Sequence, residues 1–195
     1  ADNAQKVKDS SKIWVNSPVL KVEKTTDKPF YKYGDIITYR IVLTQEHTGC
    51  VARNVTLQDV IDTQGVRLLK DSVILVDEKG NVADADVQIN DDNTFLMSTG
   101  RTLVRDSRYS ICDNDKGGLF EQVMYNPLDC QEQKSMIVEY QAAVIDAALA
   151  GQKVHNTAVA DSSEKIPATG ETETEVHSPI LKIVKESDKK EYASG

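Results

Sequence analysis

Residues 36–43 read IITYRIVL, a run with a period of two. Ile37, Tyr39, Ile41 and Leu43 make the more apolar face, and Ile36, Thr38, Arg40 and Val42 make the other. A helix would group its apolar residues every three or four positions, so the alternation predicts a strand with one face in a core. Working outward, Val55-Thr56-Leu57-Gln58 alternates in the same way, and Val73-Ile74-Leu75-Val76 does so less cleanly. Residues 136–140 (MIVEY) and 154–159 (VHNTAV) complete the set. Turn residues separate these runs: Gly34-Asp35, His47-Thr48-Gly49, residues 78–81, residues 113–118 and Ala150-Gly151. About eight short strands at about ten-residue spacing predict an all-β fold, an Ig-like antiparallel β-sandwich. Asp146 to Ala150 is the one helical-looking stretch and is too short to be more than a turn.

The chain also repeats itself. Residues 17–34 read SPVLKVEKTTDKPFYKYG and residues 178–195 read SPILKIVKESDKKEYASG, 161 positions later. Nine of the eighteen positions are identical, enough to read the second stretch as the opening of another copy. Upstream, residues 14–18 (WVNSP) resemble residues 175–179 (EVHSP). The expected organisation is the tail of a preceding repeat or a linker over residues 1–16, one complete unit over 17–177, and the start of a next unit over 178–195.

Composition narrows the function. Of 195 residues, 39% are hydrophobic and 28% charged, ordinary for a globular chain. The 31 acidic and 23 basic residues leave a net charge of −8, which repels nucleic acid and anionic lipid, since phosphate binding needs clustered Lys and Arg. No run approaches the roughly 18 uninterrupted apolar residues of a membrane helix, so no membrane insertion is expected in this segment. Ala1 to Lys8 is polar and charged and reads as an internal or mature segment. Cys50, Cys112 and Cys130 allow one internal bridge, Cys112–Cys130 being one pairing, or three semi-buried thiols. Their spacing does not suit zinc, and no metal or cofactor is expected.

Three motifs carry a resemblance to a known family. Residues 20–24 (LKVEK) with 33–39 (YGDIITY), then residues 54–60 (NVTLQDV), then residues 150–158 (AGQKVHNTA), resemble in order the DUF11-type and fimbrial D2-type (CnaA-like) repeats of Gram-positive surface proteins and pilins. Residues 85–133 match poorly and carry longer connections. The resemblance implies a self-formed isopeptide bond between a lysine of the first strand and an asparagine near the end of the domain, assisted by a carboxylic acid. On this sequence those positions are Lys24, Asn156 and Asp59, and Lys185 is the corresponding lysine of the next copy.

Strand alternation bears on these positions independently. Lys24 shares a face with Leu20 and Val22, Asp59 with Val55 and Leu57, and Asn156 with Val154, Ala158 and Ala160. Each polar group sits where its neighbours choose the core, and three such groups are costly to bury unless they meet. Burial favours a neutral, nucleophilic lysine amine and a protonated Asp59, which as an acid would hydrogen-bond the Asn156 carboxamide oxygen and move protons to departing ammonia. The plainer alternative is a buried Lys24–Asp59 ion pair, with Asn156 bonding backbone at a corner. Glu139 is a second candidate acid, but it lies opposite Val138 and Tyr140.

Other signals are weaker. Residues 166–170 (IPATG) look like a sortase site but lack the hydrophobic stretch and basic tail, and are expected to be an interdomain turn. Residues 113–124 resemble a calcium loop whose twelfth position is Met124, where a bidentate Glu is needed. His47, His155 and His177 fit no triad or HExxH pattern, and no signature of a turnover enzyme appears.

The leading expectation is a structural stalk repeat of a bacterial adhesin or fimbrial protein, extracellular and attached to the cell wall. It would be a monomer that contacts adjacent repeats of its own chain. It would be no enzyme beyond a single self-cross-linking event. The alternatives are a module binding a host extracellular ligand (matrix protein or glycan) through residues 85–133, or an accessory module of a large secreted enzyme.

Overall fold

The computed structural model of the chain describes residues 17–47, 50–105, 132–178 and 184–186. The alternating runs become strands, and the strands form two six-stranded sheets and a small third one. In the first sheet, β1 (Leu20–Thr26), β3 (Ile36–Gln45), β13 (Ser135–Val144), β7 (Ile74–Val76) and β8 (Val82–Ala83) lie in that order, with β6 (Val66–Leu68) also on β13. In the second, the order is β2 (Phe30–Tyr31), β15 (Ala168–Val176), β14 (Lys153–Asp161), β5 (Thr56–Ile61), β10 (Thr94–Ser98) and β9 (Asp86–Ile89). The third joins β12 (Glu132–Gln133), β11 (Thr102–Val104) and β4 (Val51–Ala52). The ladders are antiparallel, apart from the short β2–β15 and β11–β12 pairs. The fold is the expected all-β sandwich.

The core lies between the large sheets. From the first come Ile37, Tyr39, Ile41 and Leu43 of β3, opposite Tyr140, Val138 and Met136 of β13. From the second come Leu57, Phe95, Met97, Val154, Ala158 and Ala160, all buried. Removing such side chains from water contributes on the order of 1.5–3 kcal/mol each, which is what selects this register over a slip of one residue. Residues 146–150 do form only a turn: a single 3-10 turn over Ala147–Leu149, capped by the Asp146 carboxylate accepting from the Ala148 amide at 2.8 Å. No helix among the described residues is long and apolar enough to cross a membrane.

Residues 166–170 differ from the expectation of an interdomain turn. Ala168-Thr169-Gly170 open strand β15 and pair with Ala160, Val159 and Ala158 of β14. The inward positions of β15 are Ala168, Gly170, Thr172, Thr174 and Val176, small or polar for the most part, so the strand carries no apolar alternation to read. The reason for small residues is β1, which packs across β14 and β15. A Cβ at Gly170 would lie 2.6 Å from Val22 Cγ1 and 2.7 Å from the Val22 carbonyl oxygen. Gly170→Ala must therefore push β1 off β15. It is expected to cost about 1–3 kcal/mol, the usual range for overpacking. At about 2–4 °C per kcal/mol for a domain of this size, the melting temperature would fall by several degrees. An unchanged melting temperature would show that β1 does not sit this close.

Candidate functional site

Lys24, Asp59 and Asn156 meet in the core between the sheets. β1 delivers Lys24 after Leu20 and Val22, β5 delivers Asp59 between Leu57 and Ile61, and β14 delivers Asn156 between Val154 and Ala158. Their residues are 7%, 0% and 1% exposed, so water does not share in their pairing. Lys24 Nζ donates to Asp59 Oδ2 and, at 2.5 Å, to Asn156 Oδ1. An ε-amino group that carries protons to donate faces the carbonyl end of a carboxamide, which leaves the Asn156 NH2 group to point elsewhere.

It points at Tyr140. Asn156 Nδ2 donates to Tyr140 Oη at 2.5 Å, and Tyr140 Oη donates to Asp59 Oδ1 at 2.6 Å. The sequence reading missed this fourth member, because tyrosine on the apolar face of β13 looks like ordinary core. The available signal was that a buried tyrosine hydroxyl nearly always has a partner. The tyrosine also changes the role expected of Asp59. The carboxyl does not hydrogen-bond the Asn156 carboxamide oxygen; Lys24 holds that oxygen, and Asp59 is linked to Asn156 through Lys24 on one side and Tyr140 on the other. The physical reason is register: Asp59 lies opposite Ala158, one inward position along β14 from Asn156.

Aromatic rings enclose the cluster. Tyr39 stacks on Tyr140 at 4.9 Å between centroids, Phe95 meets Tyr140 edge-on at 5.1 Å, and Lys24 Nζ lies 5.4 Å and 5.7 Å from the Tyr39 and Tyr140 centroids. Burial dominates the electrostatics. It pulls the Lys24 ammonium down from 10.5 to about 8, against the opposing pull of the Asp59 charge and hydrogen bond. Burial likewise raises the Asp59 carboxyl, partly offset by Lys24 and by the Tyr140 hydroxyl. Both shifts favour the neutral amine and the neutral acid over the ion pair.

The other sequence candidates are placed apart. Glu139 faces outward and pairs with Arg40 on the sheet surface. Lys185 is exposed, and residues 179–183, with Leu181 and Ile183 of the same alternation, lie outside the described residues. Cys112, Cys130 and residues 113–124 lie outside them too. Cys50 is a half-buried free thiol. No cluster of metal-ligating side chains occurs among the described residues.

Comparison with known proteins shows the fold. No family model and no curated protein matches the sequence. Among solved structures, a variant of BcpA, the major pilin subunit of Bacillus cereus, matches over 83% of this chain and 40% of its own, at 11% identity and a TM-score of 0.50. The pilus backbone RrgB of Streptococcus pneumoniae matches over 73% of this chain and 31% of its own, at 15% identity and 0.49. A collagen-binding domain from a Staphylococcus aureus adhesin matches over 87% of this chain and 100% of its own, at 11% identity and 0.45. The chain thus spans less than half the length of either pilin. The sandwich that BcpA shares with it is the kind that the motifs implied.

Proposed function

We propose that this chain is a load-bearing stalk repeat of an extracellular Gram-positive surface protein, adhesin or fimbrial, and that its sandwich is closed by an autocatalytic isopeptide bond between Lys24 and Asn156. The observation that carries the reading is the buried contact of Lys24, Asp59 and Asn156, which joins β1 of one sheet to β14 of the other. A solvated salt bridge would need none of this burial, and the reaction needs what the cluster provides, a lysine amine held against a carboxamide beside an acid. The fold shared with a pilin subunit supports the setting.

The chemistry follows from the geometry. The neutral Lys24 amine attacks the Asn156 carboxamide carbon, and ammonia leaves. Holding the two groups together supplies on the order of 7–11 kcal/mol that a bimolecular reaction would lack. Asp59 is the proton-transferring acid. The product is a neutral amide in an apolar core, so the charges that were costly to bury disappear with the reaction. The protein acts once, on itself, and needs no cofactor.

Intact mass under reducing, denaturing conditions tests this. The expected result is about 17 Da less than the sequence mass, the ammonia lost in aminolysis, with the full mass restored in Lys24→Ala and Asn156→Ala. Full mass in the unaltered protein would refute the bond. Because the Lys24 amine loses its proton near pH 8, bond formation in freshly synthesised protein should accelerate as pH rises from mildly acidic values toward about 8.

A further inference from the structure

We propose that Tyr140 protonates the departing nitrogen, forming with Asp59 a two-member relay that carries a proton from the lysine amine to the leaving ammonia. This rests on the cross-linking reading above. Asp59 has Oδ2 on the Lys24 amine and Oδ1 on the Tyr140 hydroxyl. The leaving nitrogen, Asn156 Nδ2, touches Tyr140 Oη at 2.5 Å. The hydrogen bonds therefore give a proton from the carboxyl a path to that nitrogen, and the Tyr140 phenol stands on it.

The balance closes with nothing consumed. The Nζ–Cγ bond forms and the Cγ–Nδ2 bond breaks. The proton shed by Nζ goes to Asp59 Oδ2, while Asp59 Oδ1 gives its own proton to Tyr140 Oη. Tyr140 Oη in turn gives a proton to Nδ2, which leaves as ammonia. Asp59 ends as the neutral acid it began as, and Tyr140 as a neutral phenol. Burial and the adjacent carboxyl hold the Tyr140 phenol well above its ordinary range, so its proton must arrive and depart together, without a phenolate of any lifetime. The resting hydrogen bonds run the other way, from Nδ2 to Oη to Oδ1. They reverse when the Tyr140 hydroxyl turns toward Nδ2 and the protonated Asp59 Oδ1 turns its O–H toward Oη, once Nδ2 becomes tetrahedral and gains a lone pair. Tyr39 and Phe95 fix the ring, so that these two O–H rotations are the motions required.

The test is Tyr140→Phe, followed by intact mass at timed intervals after cell-free synthesis. Bond formation should slow by at least about 100-fold, the lower range for removing a general acid. Tyr31→Phe is the control: its ring is buried and its hydroxyl bonds Asp27 at 2.6 Å, away from the cluster. It should cross-link at the unaltered rate. Placing 3-fluorotyrosine at position 140 keeps shape and hydrogen bonds while making the phenol more acidic. A relay predicts a changed rate and a shifted pH profile, whereas a group that merely fills space predicts neither. This substitution also decides the matter if Tyr140→Phe does not fold. Unaltered rates with phenylalanine or fluorotyrosine, in a protein that does lose ammonia, overturn the relay alone. A chain of full mass overturns the relay together with the cross-link.

Discussion

Asp59→Ala should lower the melting temperature by about 16–40 °C, more than any other single change in the cluster. Two losses combine. The proposed cross-link can no longer form, and it would tie positions 132 residues apart. Closing a loop of that size in the unfolded chain is worth about 5 kcal/mol by the chain-entropy argument used for disulfides. The Lys24 amine is then left in the core without its carboxylate, and removing one partner of a buried pair costs about 3–5 kcal/mol more. At about 2–4 °C per kcal/mol the sum reaches the stated range. Lys24→Met separates the two losses. It also abolishes the bond, but it leaves only Asp59, which burial already pushes toward the neutral acid and which keeps its Tyr140 hydrogen bond. Its melting temperature should therefore lie between those of the unaltered protein and Asp59→Ala.

The sign of the pH dependence gives a second check on the same pair. In the folded state the Lys24 amine titrates below its unfolded value of 10.5, at about 8 even with Asp59 present, and lower once Asp59 is gone. Through that window the unfolded chain binds the extra proton, so the stability of Asp59→Ala rises with pH. The gap between Asp59→Ala and Lys24→Met should close as pH approaches 10.5. Scanning calorimetry at several pH values measures it. Equal melting temperatures for the two variants at neutral pH would refute the stranded amine, and a melting temperature for Lys24→Met equal to that of the unaltered chain would refute the tie.

Pulling on the ends of the unaltered protein should yield no full unfolding event. Tension that enters near β1 and leaves through β14 and β15 would bypass, through the proposed Lys24–Asn156 bond, the residues between two positions 132 apart. Those residues hold about 460 Å of chain at the ~3.5 Å that an extended residue spans. Single-molecule force spectroscopy should show only a short extension from residues outside the loop. Lys24→Met should release the whole length at forces that break hydrogen-bonded ladders. A release of that length from the unaltered protein would rule out a covalent tie on the load path.

Much of this was legible in the sequence, for identifiable reasons. Strands β1, β3, β13 and β14 run seven to ten residues, long enough for a period of two to show, and their inward faces hold the expected residues. Lys24, Asp59 and Asn156 stood out because each interrupts an apolar face. Strands β4, β8 and β12 have two residues each, too few for any period. Strand β15 was misread because its inward side carries Gly170, Thr172 and Thr174, chosen for thinness under β1 and not for hydrophobicity. Tyr140 was missed for the opposite reason: it suits an apolar face, and only the crossing of two sheets shows what its hydroxyl touches.

The tight seat of Gly170 under Val22 has a consequence for how the stretch 166–170 is read by other proteins. A transpeptidase must draw its recognition peptide into a cleft as a free, extended segment, with both sides of the Thr–Gly bond accessible. Here Thr169 and Gly170 are laddered to β14 on one side, and Gly170 is roofed by the β1 backbone. Ile166 and Pro167 stay exposed outside the strand, but the Thr169–Gly170 bond is free only in the unfolded chain. Once the domain has folded it is sealed, and a motif scan that ignores folding will misdirect the reader.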